Sequence, residues 1–172
     1  MYNYYNPYAC YGYSHINDLY RDYPYIGNDT MNFTNGIMNL QDYGPEPIVV
    51  NINDITKQNP NYRTTIWTGQ HLQVTLMSIG VNESIGLEAH PDVDQFIRIE
   101  QGQGLVMMGD DKDTLNYRRV VSDDFAFVVP AGKWHNLVNT GNIPIKLYSI
   151  YAPPEHLSGT IHKTKLEADA AE

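Results

Sequence analysis

A single cysteine, Cys10, stands among 172 residues, so no intrachain disulfide framework and no thiolate metal cluster is available to this chain. Cations are also scarce. Eleven Lys and Arg face twenty Asp and Glu, giving a formal charge of −9 and a pI near 5.0. That balance argues against nucleic acid as a partner, because phosphate binding needs clustered Lys and Arg. No apolar run approaches the roughly 20 residues of a membrane span, so no membrane partner is expected either. The opening residues, MYNYYNPYACYGY, lack a basic segment and an apolar core, and no secretory signal is expected from them. The implied location is cytoplasmic. What the chain does have is 42% hydrophobic and 12% aromatic residues, enough to bury one ordinary core.

The aromatic residues are unevenly placed. Ten of the fourteen tyrosines and seven asparagines fall within residues 1–46, where five carboxylates accompany one cation, Arg21, and Val is absent. No stretch of that segment keeps a period of 2 or 3.6. Residues 1–46 therefore read as a low-complexity, largely extended arm, flexible or draped on the domain that follows and unable to pack a core of its own. Tyrosine side chains stack and couple oxidatively, so an adhesive or cross-linking role is the alternative to a plain tail.

From residue 47 short β-rich runs alternate with turn signals. Ile48–Ile52 reads as a first strand, and Asn53 as the cap of one helical turn that stops at Pro60. Eight more runs follow: 64–67, 71–79, 95–100, 105–108, 117–121, 125–129, 134–138 and 145–151. Gly-, Asn- and Asp-bearing separators such as Gly80-Val-Asn82 and Pro130-Ala-Gly132 divide them. About nine evenly spaced strands point to an all-β sandwich or barrel over residues 47–152. Residues 153–172 form a tail, with one short helix expected in 163–171.

Two clusters in the β-rich region carry chemistry. In Gly86-Leu-Glu88-Ala-His90-Pro-Asp-Val-Asp-Gln95, a strand would project Glu88 and His90 to one face. Pro91–Asp94 then turn the chain, and Gln95 opens a returning strand with Ile97 and Ile99 on its face. In Pro130-Ala-Gly132-Lys-Trp-His135-Asn-Leu-Val-Asn139, the turn starts a strand on which His135, Leu137 and Asn139 share a face.

These segments resemble the two motifs of the cupin superfamily, G-x5-H-x-H-x(3,4)-E-x6-G and G-x5-P-x-G-x2-H-x3-N. The second matches from Pro130 through Gly132 and His135 to Asn139, with Asp124 in place of its leading glycine. The first matches in spacing, from Glu88 and His90 through Gln95 to Gly102, but Glu88 stands where a His is usual and Gln95 where a Glu is usual. The resemblance covers about residues 47–152. Residues 67–73 and 148–156 are also similar to a bacterial cupin subgroup labelled mannose-6-phosphate-isomerase-like. It implies a double-stranded β-helix, or jelly roll, with a metal pocket in the barrel mouth. Homodimerisation is a further expectation, since jelly rolls leave sheet edges to be covered.

The altered ligand set remains chemically coherent. Two imidazoles and one carboxylate suit one divalent ion of Fe, Mn, Zn or Ni, and His90, His135 and Glu88 supply that set. Gln95 adds a neutral carbonyl oxygen as a fourth metal ligand. The competing reading is a Glu88–His90 hydrogen-bonded pair in a metal-free pocket. Elsewhere, His71 reads as a hydrogen-bonded strand residue, His156 and His162 as tail residues with a lid role in reserve, and Asp110–Asp113 as a solvated hairpin tip. Arg98 falls out of phase with Gln95 and Ile97 and should face away from the pocket.

Three function classes follow: a metal-dependent enzyme with a small-molecule ligand, isomerase- or dioxygenase-type on a carbohydrate-like or polyhydroxylated substrate; a non-catalytic binding module; or a structural protein of a spore-type surface, suggested by the arm alone.

Overall fold

Alternating burial along short strands builds two antiparallel sheets that face each other across one apolar core. The computed structural model describes residues 33–34 and 37–171. The N-terminal unit contributes a two-stranded pair, β1 (Phe33–Thr34) and β2 (Ile37–Met38), joined antiparallel. The rest of the expectation for the arm, residues 1–32, lies outside the described residues.

The second unit, residues 39–172, carries β3 (Arg63–Thr68), β4 (Gln73–Ile79), β5 (Asp94–Gln101), β6 (Gln103–Gly109), β7 (Tyr117–Ser122), β8 (Ala126–Val129), β9 (Trp134–Asn139), β10 (Ile145–Ala152) and β11 (Ile161–His162). Two helices, α1 (Ile52–Gln58) and α2 (Lys165–Asp169), complete it. One sheet runs β11-β3-β4-β10-β5-β8 and the other β7-β6-β9. Met77, Ile79, Ile97, Ile99, Val106, Leu137, Ile145 and Leu147 interlock between them, all buried. Each such side chain contributes about 1.5–3 kcal/mol by leaving water. This is the all-β jelly roll expected from the sequence. Among the described residues, no helix is long and apolar enough to cross a membrane.

The first expected strand does not form. Asn51, not Asn53, caps a helix that starts at Ile52, its side chain accepting from the Asp54 N–H at 3.3 Å. Val49 is 85% exposed, so the apolar run Ile48–Val50 pairs with no sheet. The edge of β3 is covered instead by β11, with His162 opposite Arg63. The last residues of the chain thereby join the large sheet rather than trailing from it.

Residues 39–46, assigned to the arm from composition, are also bonded into this unit. Tyr43 N–H donates to Ile66 O at 2.9 Å, and the Trp67 indole N–H donates to Glu46 O at 2.8 Å. Asp42 accepts from the Thr68 and Ser158 hydroxyls and from the N–H groups of Gly44 and Gly159. Burial raises the pKa of this carboxyl, but those four donors outweigh it and hold it below the usual range. One carboxylate therefore ties the entry segment to β3 and to the loop after β10.

Two left-handed positions explain departures from the glycine pattern. Asp124, at the leading glycine of the second motif, holds φ +68°, and Asn82, six residues before Glu88, holds φ +64°. Asn and Asp tolerate this region better than other side chains, which lets the turns survive without glycine.

Candidate metal centre

Backbone pairing brings the two motif segments face to face. Glu88 N–H donates to His135 O at 3.1 Å and His135 N–H returns to Glu88 O at 2.9 Å, an isolated bridge on the free edge of β9. Glu88 thus sits in an isolated bridge, with His90 two residues beyond it, rather than both lying on a full strand. The Pro130-Ala-Gly132 turn is fastened to the same segment, Gly132 N–H donating to His90 O at 2.7 Å. Along β9 every second residue is buried, so His135 points inward together with Leu137 and Asn139, as their spacing predicts.

The three side chains converge. Nε2 of His135 lies 3.3 Å from Glu88 Oε1, and Nε2 of His90 lies 3.6 Å from the same oxygen. The imidazole centroids are 5.5 Å apart, and one ligand atom from each of the three residues lies within 4.8 Å of the others. Glu88, His90 and His135 are therefore placed so that they could hold a metal ion.

The outer nitrogens decide the chemistry of the inner ones. His135 Nδ1 lies 3.0 Å from Lys133 O, which can only accept. His90 Nδ1 lies 3.1 Å from Glu155 Oε1. Both partners place the imidazole proton on Nδ1 and leave Nε2 as a lone pair. Among the described residues, neither buried Nε2 has a hydrogen-bond partner. Two imidazole nitrogens and a carboxylate oxygen gathered this closely need a cation between them, either a metal ion or, in metal-free protein, a proton.

Gln95 is oriented by similar logic. The Ser149 hydroxyl donates to Phe96 O at 3.3 Å, so its oxygen accepts from Gln95 Nε2 at 3.0 Å. The Gln95 carbonyl oxygen is thereby turned the other way, buried and unpartnered among the described residues. Gln95 stands opposite Tyr151, whose ring sits edge-on to His90 with centroids 5.7 Å apart. Burial pushes the Tyr151 hydroxyl up to about 12, so it stays protonated.

The loop after β10 closes the outer wall, and sequence reasoning did not foresee its part. Gln73, wholly buried, donates to His156 O at 2.8 Å and accepts from His156 N–H at 2.9 Å. With Asp42 gripping Ser158 and Gly159, this clamp sets Glu155 against His90. Arg63, Glu88, His90, Glu155, His156 and His162 line one cavity of about 420 Å³. The only signals for Gln73 and Glu155 were their places in the segments 67–73 and 148–156. Nothing local marked Arg63 as part of a site.

Burial alone would raise the Glu88 carboxyl, but the His135 and His90 imidazoles beside it hold it down at about 2. Burial lowers His90, yet Glu88 and Glu155 outweigh this and raise it. Burial, with the Arg63 charge behind it, lowers His156 to about 3. Glu88 and His156 both take up protons later in the folded chain than in the unfolded one. Their contributions to stability are full above pH 4.5 and 6.5 respectively and are lost as pH falls towards 2 and 3. His90 has the opposite sign, its contribution fading as pH rises through its raised pKa. The expected result for metal-free protein is a falling thermal midpoint from pH 6.5 downward, worth on the order of a few kcal/mol. His156→Gln should flatten the upper part of that profile. An unchanged profile in the variant would mean His156 is not the responsible group.

Other candidates behave simply. Arg98 faces away from the pocket, paired with Glu100 and Asp124 at 2.7 Å each. His71 is exposed in the turn before β4, and Asp110–Asp113 form an exposed hairpin tip. His156 and His162 reach the cavity wall instead of remaining in a free tail.

Two antiparallel sheets around an apolar core, with two imidazoles and a carboxylate converging beside a cavity, define a jelly-roll protein with a candidate metal site. The chain belongs to the cupin superfamily, and the family model described as a cupin domain matches residues 75–151. It is 67% identical over 133 residues to YrkC of Bacillus subtilis (strain 168), covering 77% of this chain and 72% of that protein. A protein of Acanthamoeba polyphaga mimivirus is 44% identical over 114 residues, 66% of this chain and 69% of its own length. The crystal structure of BH2720 from Bacillus halodurans superposes with a TM-score of 0.75 at 60% identity, covering 76% of this chain and 98% of that one.

Proposed function

We propose that this cupin is an enzyme that binds one divalent ion of Fe, Mn, Zn or Ni through Glu88, His90 and His135, with the Gln95 carbonyl as a fourth ligand. The observation that carries the reading is the convergence on Glu88 of two buried Nε2 nitrogens that, among the described residues, have no hydrogen-bond partner. The metal-free alternative requires a Glu88–His90 hydrogen bond, and the 3.6 Å approach is too long for one. A bound ion of this kind polarises a carbonyl or hydroxyl oxygen of a small molecule. The chain's own residues do the rest. Lys133 O and Glu155 fix the imidazole rings, and Gln73 and Asp42 hold the loop that carries Glu155.

The ionisable groups on the cavity wall, Glu155, His156 and His162, are groups that move protons. They support isomerase-type chemistry on a polyhydroxylated substrate over dioxygenase chemistry. The test is metal analysis of protein purified without added metal. About one equivalent of a divalent ion is expected, and its removal by chelation should lower the thermal midpoint by about 5–15 °C. Metal-free protein that takes up no divalent ion, with an unmoved midpoint, would defeat the reading.

A further inference from the structure

Two imidazoles on the wall of the cavity beside the triad stand outside the proposed ligand set. His156 comes from the clamped loop and His162 from β11. Among the described residues, His156 Nε2 and His162 Nδ1 are buried and without a hydrogen-bond partner. The Gln73 clamp takes only backbone atoms of residue 156, its O and its N–H. The Tyr151 ring packs edge-on against both His156 and His90, with centroids 5.0 and 5.7 Å away, and so fixes the His156 ring near the triad. On the same wall the Thr160 hydroxyl donates to Leu157 O at 2.7 Å, which leaves its oxygen able to accept.

These groups have one chemistry in common. A buried polar atom without a partner is destabilising, and a ligand that supplies the partner is favoured. Burial keeps the His156 ring uncharged, lowering it to about 3, so the ring carries one N–H and one lone pair. A hydroxyl both donates and accepts, and it pairs with such a ring whichever nitrogen holds the proton. An ionised carboxylate or phosphate only accepts, and Glu88 and Glu155 already bring two carboxylates to this cavity. Arg63 lines it too, but that side chain has an interaction partner of its own and is not a free anion site.

We propose that His156 and His162 are the specificity-determining residues of this site, selecting a polyol whose outer hydroxyls bond to the two imidazoles and to Thr160 while an inner pair faces Glu88 and His90. This rests on the metal reading above, because the ion holds the inner hydroxyls, and it adds which side chains tell a polyol chain from a short diol. The volume, about 420 Å³, lies in the range of about 300–1,000 Å³ that encloses small ligands.

The test uses full-length protein loaded with Mn(II), its metal content measured first. Calorimetric titration then compares D-sorbitol with ethylene glycol. Both present two neighbouring hydroxyls to the ion, but only sorbitol has others left for the imidazoles. A site built to bond a hydroxyl rejects the analogue lacking it, so sorbitol is expected to bind about tenfold or more tightly than the glycol. His156→Leu and His162→Leu remove ring nitrogens but none of the backbone bonds that hold either segment, so both should keep their metal. Each is expected to lose about tenfold or more for sorbitol and nothing for ethylene glycol. Should one variant fail to fold, the other decides. Equal binding of the two probes, or no sorbitol binding at millimolar concentration to protein holding its ion, overturns this proposal and leaves the metal reading standing. Undiminished sorbitol binding in a folded variant overturns it too. Protein that takes up no metal overturns both.

Discussion

His135→Ala should abolish metal binding, reducing about one bound equivalent to below about a tenth in protein purified alongside the parent. The size of this effect follows from where the ring sits. His135 is 1% exposed on a strand paired through its length with β6, and its Nδ1 is tied to Lys133 O. The ring is therefore held in place. Removing it leaves Glu88, His90 and the weak neutral carbonyl of Gln95, a site open to water. His90→Ala should do the same. Glu88→Gln should weaken binding less and keep the fold, because an amide preserves the shape while losing the charge. Elemental analysis together with circular dichroism checks all three. Full metal occupancy in folded His135→Ala would remove that ring from the site.

The second large effect is expected of Gln95→Glu. A carboxylate at this position places a second anion beside Glu88, and affinity for a hard divalent ion should rise at least tenfold. The same change should destabilise metal-free protein by about 1–3 kcal/mol. Gln95 is 1% exposed, and a buried carboxylate lacks the amide N–H that now donates to Ser149. Opposite effects on the two states make the measurement decisive. The gap between metal-bound and metal-free midpoints should widen by several degrees or more. Should affinity and gap both stay as in the parent, the Gln95 side chain points away from the ion and the fourth ligand is something else.

Most of the strands and the triad were legible because both are short-range properties. Eight of the expected runs became strands, since alternation along a strand sets which side chains face the core, whatever the topology. Glu88 and His90 stay together because they are two residues apart, and the turn at Pro130–Gly132 leads into the strand that carries His135, three residues on. Ile48–Ile52 misled because β-branched residues record a preference for extended backbone, not the presence of a neighbour. With β11 on the edge of β3, that run had no strand to join, and the Asn51 cap recruited its last residue into α1. Composition could not choose between a flexible and a draped segment at residues 39–46. A Tyr- and Asn-rich stretch looks featureless until Asp42 meets Thr68, Ser158 and Gly159.

By itself, then, the chain's sequence determined the all-β architecture and marked Glu88, His90 and His135 as candidates, through spacings of a few residues. Tertiary structure alone brought the two segments together and decided how those side chains are tuned. Glu155 reaches His90 across 65 positions, and Gln73 grips His156 across 83. Arg63 meets His162 only because the last strand folds back onto the first of the sheet. No local preference encodes such contacts. They form when burying the core brings distant backbones together, and each buried donor or acceptor then takes the partner within reach.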